Sequence, residues 1–324
     1  MRLPIRVLAT ASTLPGTAVS TAEVARAAMP DRDPQELERR IGIATRYFAG
    51  PTPPAATLGA QVLAEALSRA GLAPSALRRI IFVSSTGGDF LIPATANALC
   101  RELGVEHTCD AFDVNNACVG FLTGFDLAAR TVATGLGPVA VVVVETLSRH
   151  IAKEEARSYV VLGDAAAAVI LGASEAGGVL AAAFGNVGSL LGSVYLGHPG
   201  LTGKTEIIEF AASNDEIGRI ALLGLRRSTD AVLSQAGLGI DAVDWVVPHQ
   251  PNGTMLTKIV AELGVAPDRV VPVVREIGSV GAASVAVGLD RLLGTGRVKP
   301  GHRILLVGVG AGLAYGALLL EVPA

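Results

Sequence analysis

AEALSRAGLAPSALRRIIFV, residues Ala64 to Val83, lies over DAVLSQAGLGIDAVDWVVPH, residues Asp230 to His249, at an offset of 166. Leu67/Leu233, Ser68/Ser234, Ala70/Ala236, Gly71/Gly237 and Leu72/Leu238 are identical pairs. Each stretch reads as an amphipathic helix stopped at a glycine, a short loop and a buried strand. The same offset carries Val139–Val144 onto Leu305–Gly310 and Asn116-Ala-Cys-Val119 onto Ala282-Ala-Ser-Val285. Three stretches sharing one offset argue for a duplicated α/β unit rather than chance likeness of apolar runs. The expected domains are 1–174 and 175–324, divided inside the Ala173 to Gly178 stretch, each built of largely parallel, buried strands covered by helices.

Composition agrees with two such units in a chain of 324 residues. Half of the residues are apolar, 17% are charged, and mean hydropathy is +0.50, which excludes disorder. Aromatics are only 4% and glycines number 38 without a triplet period, so the core is one of Ala, Val, Leu and Gly. A formal charge of −3 without a long basic run argues against nucleic acid as a partner, because that affinity rests on cations neutralising phosphates. Cys100, Cys109 and Cys118 form no C-x-x-C pair, which argues against a disulfide framework and for a reducing, cytoplasmic setting. The five histidines show no zinc-ligand spacing, so no metal is expected. The N-terminal MRLPIRVLAT lacks the apolar core of a signal peptide. Ile304–Leu320 is uncharged and touches the lower length limit of a membrane span, yet Gly308, Gly310, Gly312 and Gly316 split it. Two buried strands around a glycine-rich bend are the expectation, with no membrane association.

Two residues stand out chemically. Cys118 follows the apolar run Ala111–Val114 and opens a helix, where free N–H groups and the helix dipole are expected to favour a thiolate. His249 ends the run Trp245-Val-Val-Pro-His249, a place suited to a base. Packing of the two halves about a pseudo-twofold axis can bring both ends to one cleft. A thiol, a histidine and backbone donors for an oxyanion are what thioester chemistry requires, and the Gly308-Val-Gly310-Ala-Gly312 turn can supply such a donor. The turn also imitates a dinucleotide fingerprint, but only twelve residues follow it, too few for the βαβ unit that motif needs. A papain-like reading lacks the local signature around its cysteine.

At these residues the sequence resembles the thiolase superfamily and, within it, β-ketoacyl-[acyl-carrier-protein] synthase III. The matching stretches are RRIGIATRYFA (39–49), DVNNACVGF (113–121), GDAAAAVIL (163–171), DWVVPHQPN (244–252), GSVGAAS (278–284) and GRVKPGHRILLVGVGAG (296–312), in order along nearly the whole chain. The resemblance implies an α/β thiolase-like fold of two duplicated halves in five αβαβα layers, usually as a homodimer. It implies acyl-CoA or acyl-carrier-protein thioesters as substrates, without a permanently bound cofactor. Cys118 would carry the acyl group and share an oxyanion hole with the backbone of Ala311, which stands where the family usually has glycine. His249 would be the catalytic histidine, Gln250 and Asn252 its support, and Ile92 falls near the loop that a partner subunit offers to the acyl pocket.

Several positions depart from the family pattern. The family's third catalytic residue is an asparagine in G-N-x-x-A-A-S, and Ser279 replaces it. Loss of one such donor costs about 10²–10³ in rate, which sets malonyl decarboxylation in question. Arg40 matches an arginine near the CoA phosphates and Arg157 lies within one residue of the other expected arginine, but Glu36 stands where a tryptophan stacks on adenine, and Thr254 where a docking arginine is common. Arg219, Arg226 and Arg227 offer a basic face to an acidic carrier protein, or simply a solvated one. Three functions remain open: carbon–carbon condensation in a specialised fatty-acid or polyketide-type pathway, acyl transfer from Cys118 to an oxygen or nitrogen acceptor, and a non-catalytic partner subunit.

Overall fold

The computed structural model describes residues 2–202 and 207–323. One sheet contains β1 (Ile5–Thr13), β4 (Arg79–Val83), β5 (Asp110–Val114), β6 (Val139–Glu145) and β7 (Ala165–Ala173), in the order β1-β7-β6-β4-β5. A second contains β8 (Gly178–Asn186), β11 (Trp245–Pro248), β12 (Arg303–Gly310) and β13 (Ala314–Glu321), in the order β11-β12-β13-β8. Two short ribbons lie outside them, β2 (Thr17–Ser20) with β3 (Thr45–Phe48), and β9 (Val194–Tyr195) with β10 (Glu209–Phe210).

The second sheet repeats the first strand for strand: β8-β13-β12-β11 takes the order of β1-β7-β6-β4. Val246 also makes a parallel bridge to Val270, where β4 pairs with β5. The helices Ala55–Ala70 and Asn214–Ala236 both end at a left-handed glycine, Gly71 and Gly237, whose N–H groups close the last turns on Leu67 and Leu233. The sheets are mixed rather than largely parallel. β4 pairs in parallel with β5 and β6, and β11 with β12, whereas β1–β7, β6–β7, β12–β13 and β13–β8 are antiparallel. Only Ala311–Leu313 join β12 to β13, too little chain for a crossover helix, so the uncharged Ile304–Leu320 stretch folds back as two antiparallel buried strands.

Alternation along each strand builds the layers. Ile80 and Phe82 face an outer layer made by the helices Ala55–Ala70 and Thr95–Leu103. Ile81 and Val83 face a central layer made by Gly120–Ala133 and Ala283–Gly294. Val247, Leu306 and Leu318 of the second sheet meet that central layer from the other side. Val246, Leu305 and Leu319 turn outward onto Asn214–Ala236 and Gly253–Leu263. Both faces of both sheets are therefore dry, and each fully buried Val or Leu contributes about 1.5–3 kcal/mol. The result is a five-layered αβαβα thiolase-like fold. No helix among the described residues is long and apolar enough to cross a membrane.

Candidate active site

The C-terminal ends of β4, β6, β11 and β12 converge, as ligand sites in open α/β sheets do. Cys118 sits in the turn between β5 and the helix that starts at Gly120, two residues later than the sequence suggests. Ala117 just before it has φ 45°, a left-handed conformation that costs a non-glycine residue on the order of 1 kcal/mol. Asn115 Oδ1 accepts the Ala117 N–H at 3.0 Å, and Asn116 Nδ2 donates to Thr123 Oγ1 at 2.9 Å, so the turn is held from both sides. The N–H groups of Ala311 and of Cys118 itself are directed at the sulfur and favour its anion.

They do not prevail in the resting state. Burial, and after it the charge of Glu145, push the Cys118 thiol up to about 12. The expected thiolate at a helix N-terminus is thus corrected to a neutral thiol, because desolvation outweighs the donors. Two glycines of β12 explain how close the parts lie. A Cβ on Gly310 would stand 2.8 Å from the Cys118 nitrogen, and one on Gly308 would stand 3.5 Å from His249 Cβ and 3.3 Å from Leu122 Cδ1. Being two residues apart, Gly308 and Gly310 share one strand face, so Cys118 and His249 flank about 7 Å of the same backbone.

His249 follows β11 and is 3% exposed. Burial lowers it to about 4, opposed by the Gly281 carbonyl, and its Nδ1 is buried with no hydrogen-bond partner among the described residues. The imidazole is therefore neutral at pH 7. Unfolded, it takes up a proton near 6.5, so its linkage removes up to about 3 kcal/mol of stability as pH falls from 6.5 to 4. A His249→Asn variant is expected to lose less stability than wild type over that window in urea unfolding series. Equal acid slopes would contradict the buried neutral imidazole.

Framework residues surround the pair. Gln250 is fully buried, donates Nε2 to the Val271 carbonyl at 2.7 Å, and accepts the N–H groups of Val273 and Val274 at 2.8 and 3.0 Å. Ser284 Oγ, at the position related to Cys118 by the repeat, accepts the Gln250 N–H at 3.1 Å. Asn252 caps the helix Gly253–Leu263 through the Met255 N–H at 2.8 Å. Ser279 is pinned by its backbone, its N–H to Val161 and its carbonyl to Gly163, while its hydroxyl makes no hydrogen bond among the described residues. Glu145 was not singled out from the sequence. It is fully buried, accepts the Ser85 N–H and hydroxyl and the Ala282 N–H, and burial raises its carboxyl to about 7.

The other substrate-side residues lie apart from this cluster. The Arg40 side chain is exposed, and its carbonyl accepts the Thr254 hydroxyl at 2.5 Å, which joins those two positions. Glu36 is exposed on the same helix, Pro34–Ile41. Arg157 is already engaged: it lies 4.6 Å over the Phe210 ring and donates to the Ala212 carbonyl at 2.6 Å. Arg219, Arg226 and Arg227 are exposed, but Arg226 is tied to Asp230 at 3.0 Å. Ile92 is 86% exposed beside Leu91 and Phe90. The base of that loop is fixed by Asp89, which accepts the N–H groups of Ala55 and Ala56, and by Asp113, which accepts those of Thr95 and Ala96. A cavity of about 130 Å³, lined by Phe82, Ser84, Gly87, Asp113, Val114 and Asn115, opens at the ends of β4 and β5. A larger cleft, about 260 Å³, lies at the opposite end of the sheet against Arg6, Leu8 and Gly137, away from these residues.

Comparison with known proteins agrees with this arrangement. Residues 112–188 match the family model 3-oxoacyl-[acyl-carrier-protein] synthase III, and residues 233–322 match its C-terminal counterpart. A β-ketoacyl-[acyl-carrier-protein] synthase III of Rhizorhabdus wittichii is 35% identical over 97% of this chain and 98% of its own length. The crystal structure of 3-oxoacyl-[acyl-carrier-protein] synthase III from Aquifex aeolicus is 27% identical, with a TM-score of 0.90 over 98% of this chain and 99% of that one. A priming β-ketosynthase of a polyketide biosynthetic pathway is 28% identical, with a TM-score of 0.91 over 99% of this chain and 97% of that one.

Proposed function

The chain belongs to the β-ketoacyl-[acyl-carrier-protein] synthase III family of the thiolase superfamily, and from that premise we propose that it loads an acyl group onto Cys118 and condenses it with a second thioester to form a carbon–carbon bond. The observation that carries this reading is the pair of N–H groups, from Ala311 and Cys118, directed at one sulfur beside a buried neutral imidazole. In the first step the Cys118 sulfur attacks an acyl-CoA or acyl-carrier thioester. Its proton passes by way of His249 to the departing thiolate, and the two backbone donors hold the oxyanion. With the thiol near 12 and the imidazole near 4, no ion pair pre-exists, so proton removal accompanies attack. In the second step a malonyl-type thioester loses carbon dioxide. The resulting enolate attacks the acyl carbonyl and displaces the Cys118 thiolate, which regains a proton. A buried, neutral His249 suits this step, because it can donate a hydrogen bond to the enolate oxygen without first losing a charge.

The 1–174 half supplies the nucleophile and the 175–324 half the histidine and Ala311. Substrates are taken as CoA or acyl-carrier thioesters, with exposed Arg40, Arg219 and Arg227 on the approach and the protein working in a reducing cytoplasm. The contiguous exposed Phe90, Leu91 and Ile92 on a fixed base favour a homodimer in which this loop is covered. A specialised pathway is favoured over housekeeping initiation by Ser279 and Glu36.

One observation favours a second reading, transfer of the acyl group to an oxygen or nitrogen acceptor: Ser279 has a hydroxyl where the family pattern has an amide. Ser279→Asn separates the two. On the condensation reading it raises carbon dioxide release from malonyl thioesters, by on the order of 10²-fold, because a donor to the enolate oxygen is regained. Release that stays at the wild-type level, in a variant of unchanged thermal midpoint, favours acyl transfer.

A further inference from the structure

Glu145 ends β6, the central strand of the first sheet, as the one charged residue of the run VAVVVVE, and it is fully buried. A buried carboxylate is costly unless its oxygens are satisfied. Here Ser85 gives its N–H at 3.1 Å and its hydroxyl at 2.5 Å, and Ala282 gives its N–H at 2.9 Å. The Ala282 N–H belongs to the same peptide unit as the Gly281 carbonyl. In a trans peptide the two point in opposite directions. The Gly281 carbonyl acts on the His249 ring, and the same turn touches the residue after the histidine, where the Gln250 N–H donates to Ser284 Oγ at 3.1 Å. The carboxylate therefore holds one side of this peptide, and the imidazole meets the other.

We propose that Glu145 is a positioning residue for His249, acting through the Gly281–Ala282 peptide, which it orients and polarises so that the Gly281 carbonyl fixes one N–H tautomer of the imidazole. This rests on the reading of His249 as the group that moves protons. Gly281 suits the role in its own right. Its φ is 52°, and a Cβ there would stand 2.9 Å from Glu145 Oε1, so only glycine lets the carboxylate approach the peptide this closely. A catalytic histidine commonly needs a partner to hold its tautomer, and among the described residues no carboxylate hydrogen-bonds the ring directly. One peptide bond takes that place. The titratable groups acting on Glu145 are Asp164, from the segment entering β7, and Cys118, from the nucleophile turn; burial and the Gly281 carbonyl are what act on His249.

The test is Glu145→Gln, which keeps the shape and removes the charge, read by nitrogen-15 NMR of histidine-labelled protein at about pH 8.5, where the carboxyl raised to about 7 is ionised, with His249→Asn to assign the signal. Wild type is expected to show a single N–H tautomer for His249, and the variant a mixture of two. Acyl loading in the variant should slow by about 10²-fold, with the donor KM changed less than about threefold. The proposal is overturned if His249 keeps the wild-type tautomer in the variant, whatever happens to activity. Should Glu145→Gln not fold, Ser85→Ala removes one of the carboxylate's donors and is expected to move the tautomer in the same direction by a smaller amount; an unmoved tautomer there overturns the proposal equally. The NMR readout needs no turnover, so an error in the assigned reaction leaves this test intact.

Discussion

Cys118→Ala is expected to remove acyl loading altogether while leaving the fold in place. The substitution deletes one sulfur atom from a turn whose shape is set by Asn115, Asn116 and Ala117 rather than by the thiol. The backbone donors of Ala311 and residue 118 survive, yet they have no nucleophile to serve, and the rate falls to that of the bound thioester in water. Neither remaining cysteine can substitute. Cys100 is buried in the outer layer, where burial and the adjacent Cys109 raise its thiol to about 12. Single-turnover incorporation of a labelled acyl group checks this, and labelling of the variant at a tenth of the wild-type rate or more would contradict it.

Gly310→Ala is expected to come next in size, with acyl loading down at least 10²-fold in a folded protein. The new methyl would sit 2.8 Å from the Cys118 nitrogen and 3.3 Å from its Cα and Cβ, all backbone or near-backbone atoms that cannot rotate away. Relief requires the end of β12 or the Cys118 turn to move, and either motion pulls the Ala311 N–H off the sulfur. Gly308→Ala, on the same strand face, provides the control. Its methyl meets the Leu122 side chain at 3.3 Å, a contact that rotation can relieve, so a decrease of less than tenfold is expected. Pre-steady-state acylation rates separate the two, and equal effects at both glycines would show that general crowding, rather than displacement of the nucleophile, limits the site.

Much of this architecture was legible in the repeat because the offset of 166 tracks equivalent strand ends. β4 maps onto β11 and β6 onto β12, so Val83 and His249 occupy matching places, as do Cys118 and Ser284. One half contributes the nucleophile, while its counterpart Ser284 steadies the residue after the histidine. Antiparallel pairing of β7 and β13 was not legible, since an all-apolar strand looks the same in either direction and only the three-residue β12–β13 connection decides it. The protonation of Cys118 was misread for a related reason. A helix N-terminus is visible in sequence, whereas the burial and the Glu145 charge that override it come from tertiary packing.

Glu145 escaped notice for the same cause, although a signal was present: a lone carboxylate closing a run of buried valines. The repeat also maps it onto Ala311. At the end of each central strand, then, one half presents a carboxylate and the other a backbone donor to the same sulfur. This asymmetry between otherwise matching halves is what turns a duplicated scaffold into a single site. Gln250 and Asn252 were recognisable as neighbours of His249, but their use on backbone groups and a helix cap follows only from the fold.

The most direct test of the account is to isolate the acyl-enzyme and add a malonyl thioester. Acyl-CoA is incubated with wild-type protein, intact mass is measured, and the adduct is located on the peptide carrying Cys118. The account predicts one acyl group per chain at Cys118, and loss of that mass on addition of malonyl thioester, with carbon dioxide and a 3-oxoacyl thioester formed in equal amounts. An adduct that stays in place with malonyl thioester but discharges onto an alcohol or amine would contradict condensation.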